Sequence, residues 1–311
     1  MTATVEILLA TWNGADHLPE LLAGIAGQSH TNWRLLIRDD GSTDRTGEIL
    51  ADFQRQHRDR VRILEDGDGN LGPCRNFLTL LEHSHADYLM FCDQDDLWLP
   101  DKIALTLERM QSLEKSCGNG LPLLVHTDFK VVDEQLQILA PSGHHYQRLD
   151  PVRGAQLPRL LVQNVVTGCT AMINARLRRL VLPVPDAALM HDHWLALTAA
   201  AFGKIGYVAT PTLLYRQHQS NQVGAASWSS IALLRQISNL PLVRASFARN
   251  YRQAEAFLMR FDQELPGEAR QRLLGFSQLP HQNWLRRRIT IVTQGFTYCG
   301  LLRNIGWGLL C

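Results

Sequence analysis

Three carboxylates crowd into four positions of the segment Phe91-Cys92-Asp93-Gln94-Asp95-Asp96-Leu97-Trp98, directly after the apolar run 88–92. Like charges held that closely repel one another, so a stable fold keeps them together when something positive sits among them. Hard divalent cations such as Mg²⁺ or Mn²⁺ take oxygen ligands of this kind, typically one or two carboxylates plus substrate phosphates. The plain alternative is a solvated acidic turn in which Asp95 or Asp96 caps the next helix. An Asp-x-Asp at the end of a strand, with Trp98 and Pro100 behind it, favours a metal–diphosphate site.

Such residues need elements to carry them. Residues 5–10 form a short apolar run ending in the polar turn Thr11-Trp12-Asn13-Gly14, and Leu18, Leu21, Leu22 and Ile25 then recur at helical spacing. Residues 35–37 read as a second strand ending in Arg38-Asp39-Asp40-Gly41-Ser42, with Ser42 or Thr43 placed to cap a helix. A third strand over 61–64, a Gly-rich turn and a helix over 73–83 come next, and 88–92 is the fourth strand. This rhythm implies an α/β fold with a largely parallel sheet and helices on both faces. Ligands of such sheets bind beyond the carboxyl ends of the strands. The four polar turns are therefore expected to converge on one crevice.

A chain of 311 residues can bury a sizeable core. Its formal charge of +1 argues against nucleic acid as a partner, but the average hides an asymmetry. Residues 1–221 carry 20 Lys+Arg against 26 Asp+Glu, a net −6, whereas residues 222–311 carry 11 Arg, no Lys and 4 acids, a net +7. The six cysteines are scattered without metal-ligand or redox spacing, which suits a reducing cytosol. The apolar run 5–10 is too short for a signal peptide and no basic segment precedes it.

Gly67-Asp68-Gly69-Asn70-Leu71-Gly72 matches G-x-G-x-x-G between a strand and a helix, so a dinucleotide fold has to be weighed. It fits poorly. That fingerprint belongs after the first strand, and a pyrophosphate here would face Glu65, Asp66 and Asp68. Asp93, Asp95 and Asp96 would also stay unexplained.

In order and spacing, Thr11-Trp12-Asn13, Asp39-Asp40-Gly41-Ser42-Thr43-Asp44, Asn70-x-Gly72-x-x-Arg75-Asn76 and Asp93-Gln94-Asp95-Asp96 resemble the family-2 glycosyltransferases of GT-A fold, over roughly residues 4–220. Within that family, the stretches 91–103, 167–169, 190–197 and 215–225 are most similar to bacterial rhamnosyltransferases of surface polysaccharide (O-antigen-type) biosynthesis. The resemblance implies a GT-A domain over 1–225, a Rossmann-like sheet flanked by helices, and a helical C-terminal extension over 226–311. It implies an inverting, metal-dependent enzyme that moves a sugar from a nucleotide-sugar donor to a hydroxyl of a lipid-linked or growing glycan. The favoured donor is dTDP-L-rhamnose; a UDP- or GDP-sugar donor, or a nucleotide-sugar-binding protein without turnover, are the alternatives. A nucleotidyltransferase would need a cationic Gly-rich loop after the first strand, and Thr11-Trp12-Asn13-Gly14 has no cation.

By the same resemblance, Thr11, Trp12, Asn13, Asp39, Asp40, Arg75, Asn76 and Asp93 hold the nucleotide. Asp95, with Asp93 and His218, holds a divalent cation (Mg²⁺ or Mn²⁺) that acts as Lewis acid and template. Inversion needs a base for the acceptor hydroxyl, and Asp192 fills that position. Here the chain departs from the family, carrying His191-Asp192-His193 where many members carry Glu-Asp, which makes His191 the second candidate base. A capping role for Asp192 on the helix that follows is the structural alternative. Asp96, Trp98, Gly168, Cys169, His191 and Trp194 are expected near the sugar or acceptor.

In the last ninety residues, Ile231, Leu234, Ile237, Leu240, Phe257, Leu258 and Phe261 recur at helical spacing with Arg between them. Residues 284–311 are apolar and aromatic but broken by Arg286, Arg287, Arg288, Gln294, Arg303 and Asn304, so no clean membrane span results. A basic amphipathic segment can lie in a membrane interface instead, if Trp284, Phe296, Leu301, Leu302 and Trp307 share a face. That places the protein in the cytoplasm, peripheral on the inner face of the cell membrane. The alternative is a helical cap packed on the catalytic body or on a second subunit of a homo-oligomer.

Overall fold

Four apolar runs pair side by side because both faces of the sheet they make are covered. In the computed structural model, which describes residues 2–118, 120–217, 240–300, 303, 304 and 307, these are β1 (Val5–Thr11), β2 (Trp33–Asp39), β3 (Val61–Ile63) and β4 (Tyr88–Asp93). They run parallel in the order β3-β2-β1-β4. Helices α1 (Leu18–Ala26), α2 (Thr46–Gln56) and α3 (Pro73–His83) make the crossovers. Successive strand residues face opposite sides, so Leu8 and Phe91 enter one core layer while Ile7, Leu9 and Met90 enter the other. Burial on both faces explains why the runs are continuous rather than alternating.

The sheet continues past β4 with a second, mixed half. It comprises β5 (Leu97–Trp98), β6 (Leu123–Val132), β7 (Ile138–Ala140), β8 (Ala171–Asn174) and β9 (Lys204–Arg216), together with helices α4 (Lys102–Cys117), α5 (Gly143–Tyr146), α6 (Leu157–Leu160), α7 (Ala175–Val181) and α8 (His191–Phe202). β8 is antiparallel to both β4 and β6, β9 is parallel to β6, and β5 lies antiparallel on β9. The short β5 returns the chain from the acidic turn to the edge of the sheet, and this keeps the acids in the crevice. They do not cap α4, whose N-cap is Asp101.

Three C-terminal helices, α9 (Leu240–Phe261), α10 (Gly267–Ser277) and α11 (Trp284–Gln294), complete the described chain. They are packed on the body: Phe257 and Phe261 lie 5.0 and 6.3 Å from Trp194 of α8. Ile231, Leu234 and Ile237 lie outside the described residues. The tail face expected from the sequence is not formed, because Phe296 and Trp307 are buried in the core while Trp284 is exposed. Leu301 and Leu302 lie outside the described residues.

Candidate active site

The ends of β1, β2 and β4 and the loop before α3 converge on a crevice of about 690 Å³. On the side formed by β1 and β2 nearly every polar group is already engaged. Thr11 Oγ1 donates to Asp39 Oδ1 (2.7 Å), and the Ser42 hydroxyl (2.6 Å) and amide (2.8 Å) hold the same carboxylate. Asn13, in the left-handed region at φ 49°, receives the Thr43 amide on Oδ1 (2.8 Å) and donates its own amide to Ser42 Oγ (2.7 Å). Ser42 therefore braces two loops and does not cap α2; Asp44 accepts from the Thr46 amide there (3.0 Å). Trp12 is half exposed at the crevice, its backbone clamped by both polar atoms of the Gln94 side chain (2.7 and 2.9 Å).

Asp40 is consumed by the fold. Its Oδ1 accepts from the Leu71 amide (2.8 Å) and from Arg38 Nη1 (2.6 Å), and its Oδ2 accepts from the Gly72 amide (2.8 Å). The amides that a dinucleotide pyrophosphate would need at the start of α3 are thus capped by a carboxylate. The Arg38 guanidinium is wholly buried, reaches Asp66 as well (2.6 Å) and donates more weakly to Asn76 Oδ1 (3.4 Å), while Asn76 Nδ2 donates to the Arg38 backbone carbonyl (3.4 Å). Arg75 does not line the crevice: its guanidinium pairs with the exposed Asp186 at 2.8 Å.

The acidic turn contrasts with this. Asp93 and Asp95 line the crevice, and Asp96 is buried behind them with no hydrogen-bond partner for either carboxylate oxygen among the described residues. Burial, then the charge of Asp95 and of Asp192, raises Asp93 above the usual carboxylate range. Burial and the neighbouring acids push Asp96 well up too. A ligand atom each of Asp93, Asp96 and Cys169 fall within 4.8 Å of one another. Positive charge nearby comes from Arg216, whose Nε donates to the Asp95 carbonyl (3.1 Å), and from Lys102, a fully buried residue whose Nζ donates to the Cys169 carbonyl (2.9 Å) and sits 4.7 Å from the Trp98 ring. Burial lowers this amine to about 8, against the pull of the nearby acids and thiols.

Across the crevice, Asp192 sits in the first turn of α8, whose N-cap is Met190. Its Oδ2 accepts the Gly168 amide (3.1 Å), while its buried Oδ1 has no partner among the described residues. Burial raises it to about 6, opposed by the amides of His193 and Gly168. A Cβ on Gly168 would lie 2.8 Å from His191 Nε2, so a larger residue there would push the imidazole out of its place. His191 stacks on Phe77 (4.2 Å) and Phe91 (5.0 Å), and burial drops it to about 3. It is neutral at physiological pH and too weakly basic to accept a proton well. His193 receives Gln253 Nε2 on Nδ1 (3.1 Å) and donates from Nε2 to the Leu160 carbonyl (2.7 Å).

Several expected positions belong elsewhere. Trp194 is wholly buried against Phe257 and Phe261, two residues and therefore about 200° around α8 from Asp192. Trp98 is buried in the core beside Lys102, whereas the buried Cys169 keeps its thiol within 4.8 Å of the Asp93 and Asp96 carboxylates. His218 lies outside the described residues. Conversely, Gln94, Lys102, Arg38 and Gln253 organise the crevice and were not singled out in the sequence. Gln94 stands inside the acidic motif; the other three are polar types whose burial no local pattern announces.

The donor set fits a divalent cation. Crowded carboxylates, one of them buried and lacking a detected donor, are costly unless compensated, and hard oxygen ligands suit Mg²⁺ or Mn²⁺ better than soft metals. Asp93 and Asp95 are the ones that face the crevice.

The chain is 28% identical over 252 residues to the dTDP-rhamnosyl transferase RfbG of Shigella flexneri, covering 78% of this chain and 81% of that protein. It is 25% identical over 253 residues to the putative teichuronic acid biosynthesis glycosyltransferase TuaG of Bacillus subtilis, covering 78% and 92%. Among solved structures, S. aureus TarS 1-349 in complex with UDP-GlcNAc superimposes with a TM-score of 0.54 at 14% identity, covering 94% of this chain and 88% of that one. The mannosyltransferase PcManGT of Pyrobaculum calidifontis, in complex with GDP-Man and Mn²⁺, gives 0.54 at 16% identity, covering 94% and 72%. These likenesses establish the GT-A fold. The family model for Glycosyl transferase family 2 matches residues 6–176, more than half of the chain, and the protein is a member of that family.

Proposed function

We propose that the protein is an inverting, metal-dependent rhamnosyltransferase that moves L-rhamnose from dTDP-L-rhamnose to a hydroxyl of a lipid-linked or growing surface glycan. The observation that carries the chemistry is Asp192: one oxygen is anchored by Gly168, and the other is buried without a detected partner at the crevice that Asp93 and Asp95 line. A carboxylate held this way is oriented to accept the acceptor hydroxyl proton, and its raised affinity for protons makes it a better base than a surface Asp. The donor assignment is supported by the likeness to RfbG over most of both chains.

Each residue then has a task. Trp12 and Asn13 border the nucleotide, on loops that Thr11 and Asp39 brace from below. Asp93 and Asp95 hold the divalent cation, which when bound neutralises the leaving diphosphate. Arg75 leaves its exposed pair with Asp186, worth less than about 1 kcal/mol, for the diphosphate. The domain division follows the same reading: residues 1–225 carry donor and base, and 226–311 brace the acceptor wall and contact a membrane surface.

Thermal stabilisation by a panel of nucleotide-sugars with Mn²⁺ tests the donor, since a ligand bound only to the folded state raises apparent stability by mass action. dTDP-L-rhamnose is expected to stabilise most. Greater stabilisation by a UDP- or GDP-sugar would replace the donor and leave the chemistry standing; the nucleotides held by TarS and PcManGT make that the second reading.

A further inference from the structure

Helix α11 shows two unlike sides. Inward, Ile291 is buried, Arg287 donates to the Gln282 carbonyl (3.0 Å) and the Thr290 hydroxyl donates to Gln282 Oε1 (2.9 Å). Outward, Leu285, Ile289 and Val292 are 63, 55 and 76% exposed. Their spacing of four and three aligns them in one stripe. Trp284, also exposed, borders it beneath the Arg288 guanidinium, 5.3 Å from its ring, and exposed Arg286 lies on the other flank. Scattered apolar residues on a surface need no explanation, but a continuous stripe on one helix does.

The stripe is held in place. Asn283 caps α11 by accepting the Arg286 amide (3.0 Å), and Gly295, at φ 74°, ends it in the left-handed turn that favours glycine. Phe296 then enters the core against Phe276 (5.1 Å). The charge is one-sided as well: no Asp or Glu follows Glu268, while Arg270, Arg272, Arg286, Arg287, Arg288 and Arg303 do. Arg270 and Arg272 pair with Asp262 and Glu268, and three consecutive arginines, Arg286, Arg287 and Arg288, lie on α11. An apolar stripe flanked by arginine and tryptophan matches an interfacial helix, and among the described residues no helix is long and apolar enough to cross a membrane.

We infer that α11 is a docking face for an anionic lipid surface. Leu285, Ile289 and Val292 enter the acyl boundary, Trp284 sits at headgroup level, and Arg286 and Arg288 meet lipid phosphates. The membrane contact proposed above is thereby given residues, and it rests on the glycan-acceptor reading in one respect only. Past Phe296 the chain reaches the crevice wall: the Cys299 amide donates to Gln163 Oε1 (3.2 Å), and Arg303 donates to the Gln147 carbonyl (2.7 Å). Gln147, Leu149 and Asn164 line the crevice. A docked α11 would carry that wall to the lipid surface, where a lipid-linked acceptor is presented.

Co-sedimentation of the full chain with phosphatidylglycerol-containing vesicles, against pure phosphatidylcholine, tests the inference without any sugar. Binding is expected to the anionic vesicles alone and to weaken with salt. The variant L285S/I289S/V292S and the variant R286Q/R288Q are each expected to weaken it by roughly tenfold or more. Both should keep wild-type melting temperature and wild-type transfer to a short soluble acceptor. Wild-type protein that stays in the supernatant, or variants that sediment equally well, overturns the inference. So does a wild-type dimer that the triple-serine variant dissociates, because a second copy would then cover the stripe. Loss of transfer to every acceptor with vesicle binding intact would instead sink the proposed activity.

Discussion

Two sets of aspartates sit at the ends of β2 and β4, the parallel strands that flank β1, and differ in what surrounds them. At the end of β2, Asp39 and Asp40 spend every oxygen on amides, hydroxyls or Arg38. Beyond β4, Asp96 has no detected partner for either oxygen, Asp93 is pushed above its ordinary range, and Asp192 opposite keeps one oxygen in reserve. The β2 set consists of internal anions that mould loops. The second set is poorly solvated and under-compensated, a cost that persists where function repays it. A carboxylate's list of partners thus separates architecture from chemistry more sharply than its place in a motif.

The largest test of that division is Asp95→Ala. Transfer is expected to fall to background, and nucleoside-diphosphate affinity measured by calorimetry should stop responding to Mg²⁺ or Mn²⁺. Full activity of the wild type in excess chelator would remove the cation from the account.

Next is Asp192→Asn, which keeps the shape and the Gly168 contact but not the basicity. Transfer should drop by about 10²–10⁴-fold with donor binding retained. The wild-type profile carries the sign: with Asp192 raised to about 6, the basic form is depleted as pH falls through that value. The rate should therefore drop about tenfold per unit below pH ~6 and level off above it, and the variant should lose that limb. A variant within a few-fold of wild type means the proton goes elsewhere. His191, held neutral and stacked at about 3, is a poor replacement.

Asp40→Asn probes the other set. It leaves the wholly buried Arg38 with Asp66 as its remaining charged partner. Breaking a buried pair this way typically costs about 3–5 kcal/mol. Chemical denaturation should show a loss of that order, with weaker donor binding because the loop 66–72 loses its anchor.

How much of this could be read from residues alone follows the same line. The four parallel strands and α3 were legible because a two-faced burial demand writes itself as short apolar runs between polar turns. Most of the mixed half was not. β6 carries His126, Thr127 and Asp128 in its middle, all buried, so its pattern does not look like a core strand. The motif at 190–197 was legible, but helical rotation was needed to see that Asp192 faces the crevice while Trp194 faces α9. Gln253 was beyond reach. It holds His193 and the Leu189 amide (2.8 Å) from sixty residues away in sequence, through a helix whose composition shows only amphipathy.

The smallest and most discriminating change is Asp96→Asn. By motif it is the equal of Asp40, and a purely architectural role would make its loss comparably damaging. The structure leads to the opposite expectation. Asp96 has no detected partner on either oxygen and lies among Asp93 and Asp95, so its charge raises the energy of the metal-free fold. Lys102 offsets part of that charge, but its amine bonds to the Cys169 carbonyl and no ion pair to Asp96 forms. Replacing the carboxylate with a neutral amide of the same shape removes the repulsion and costs at most the weak contact of the neighbouring Cys169 thiol. In chelator near neutral pH, the variant should match or exceed the wild-type melting temperature, with a gain on the order of 1 kcal/mol. Adding Mn²⁺ and nucleoside diphosphate should then stabilise the wild type more than the variant, reversing the order. A loss in chelator comparable to that of Asp40→Asn would mean that Asp96 is held by contacts of the architectural kind, and the division between the two sets would fail at that residue.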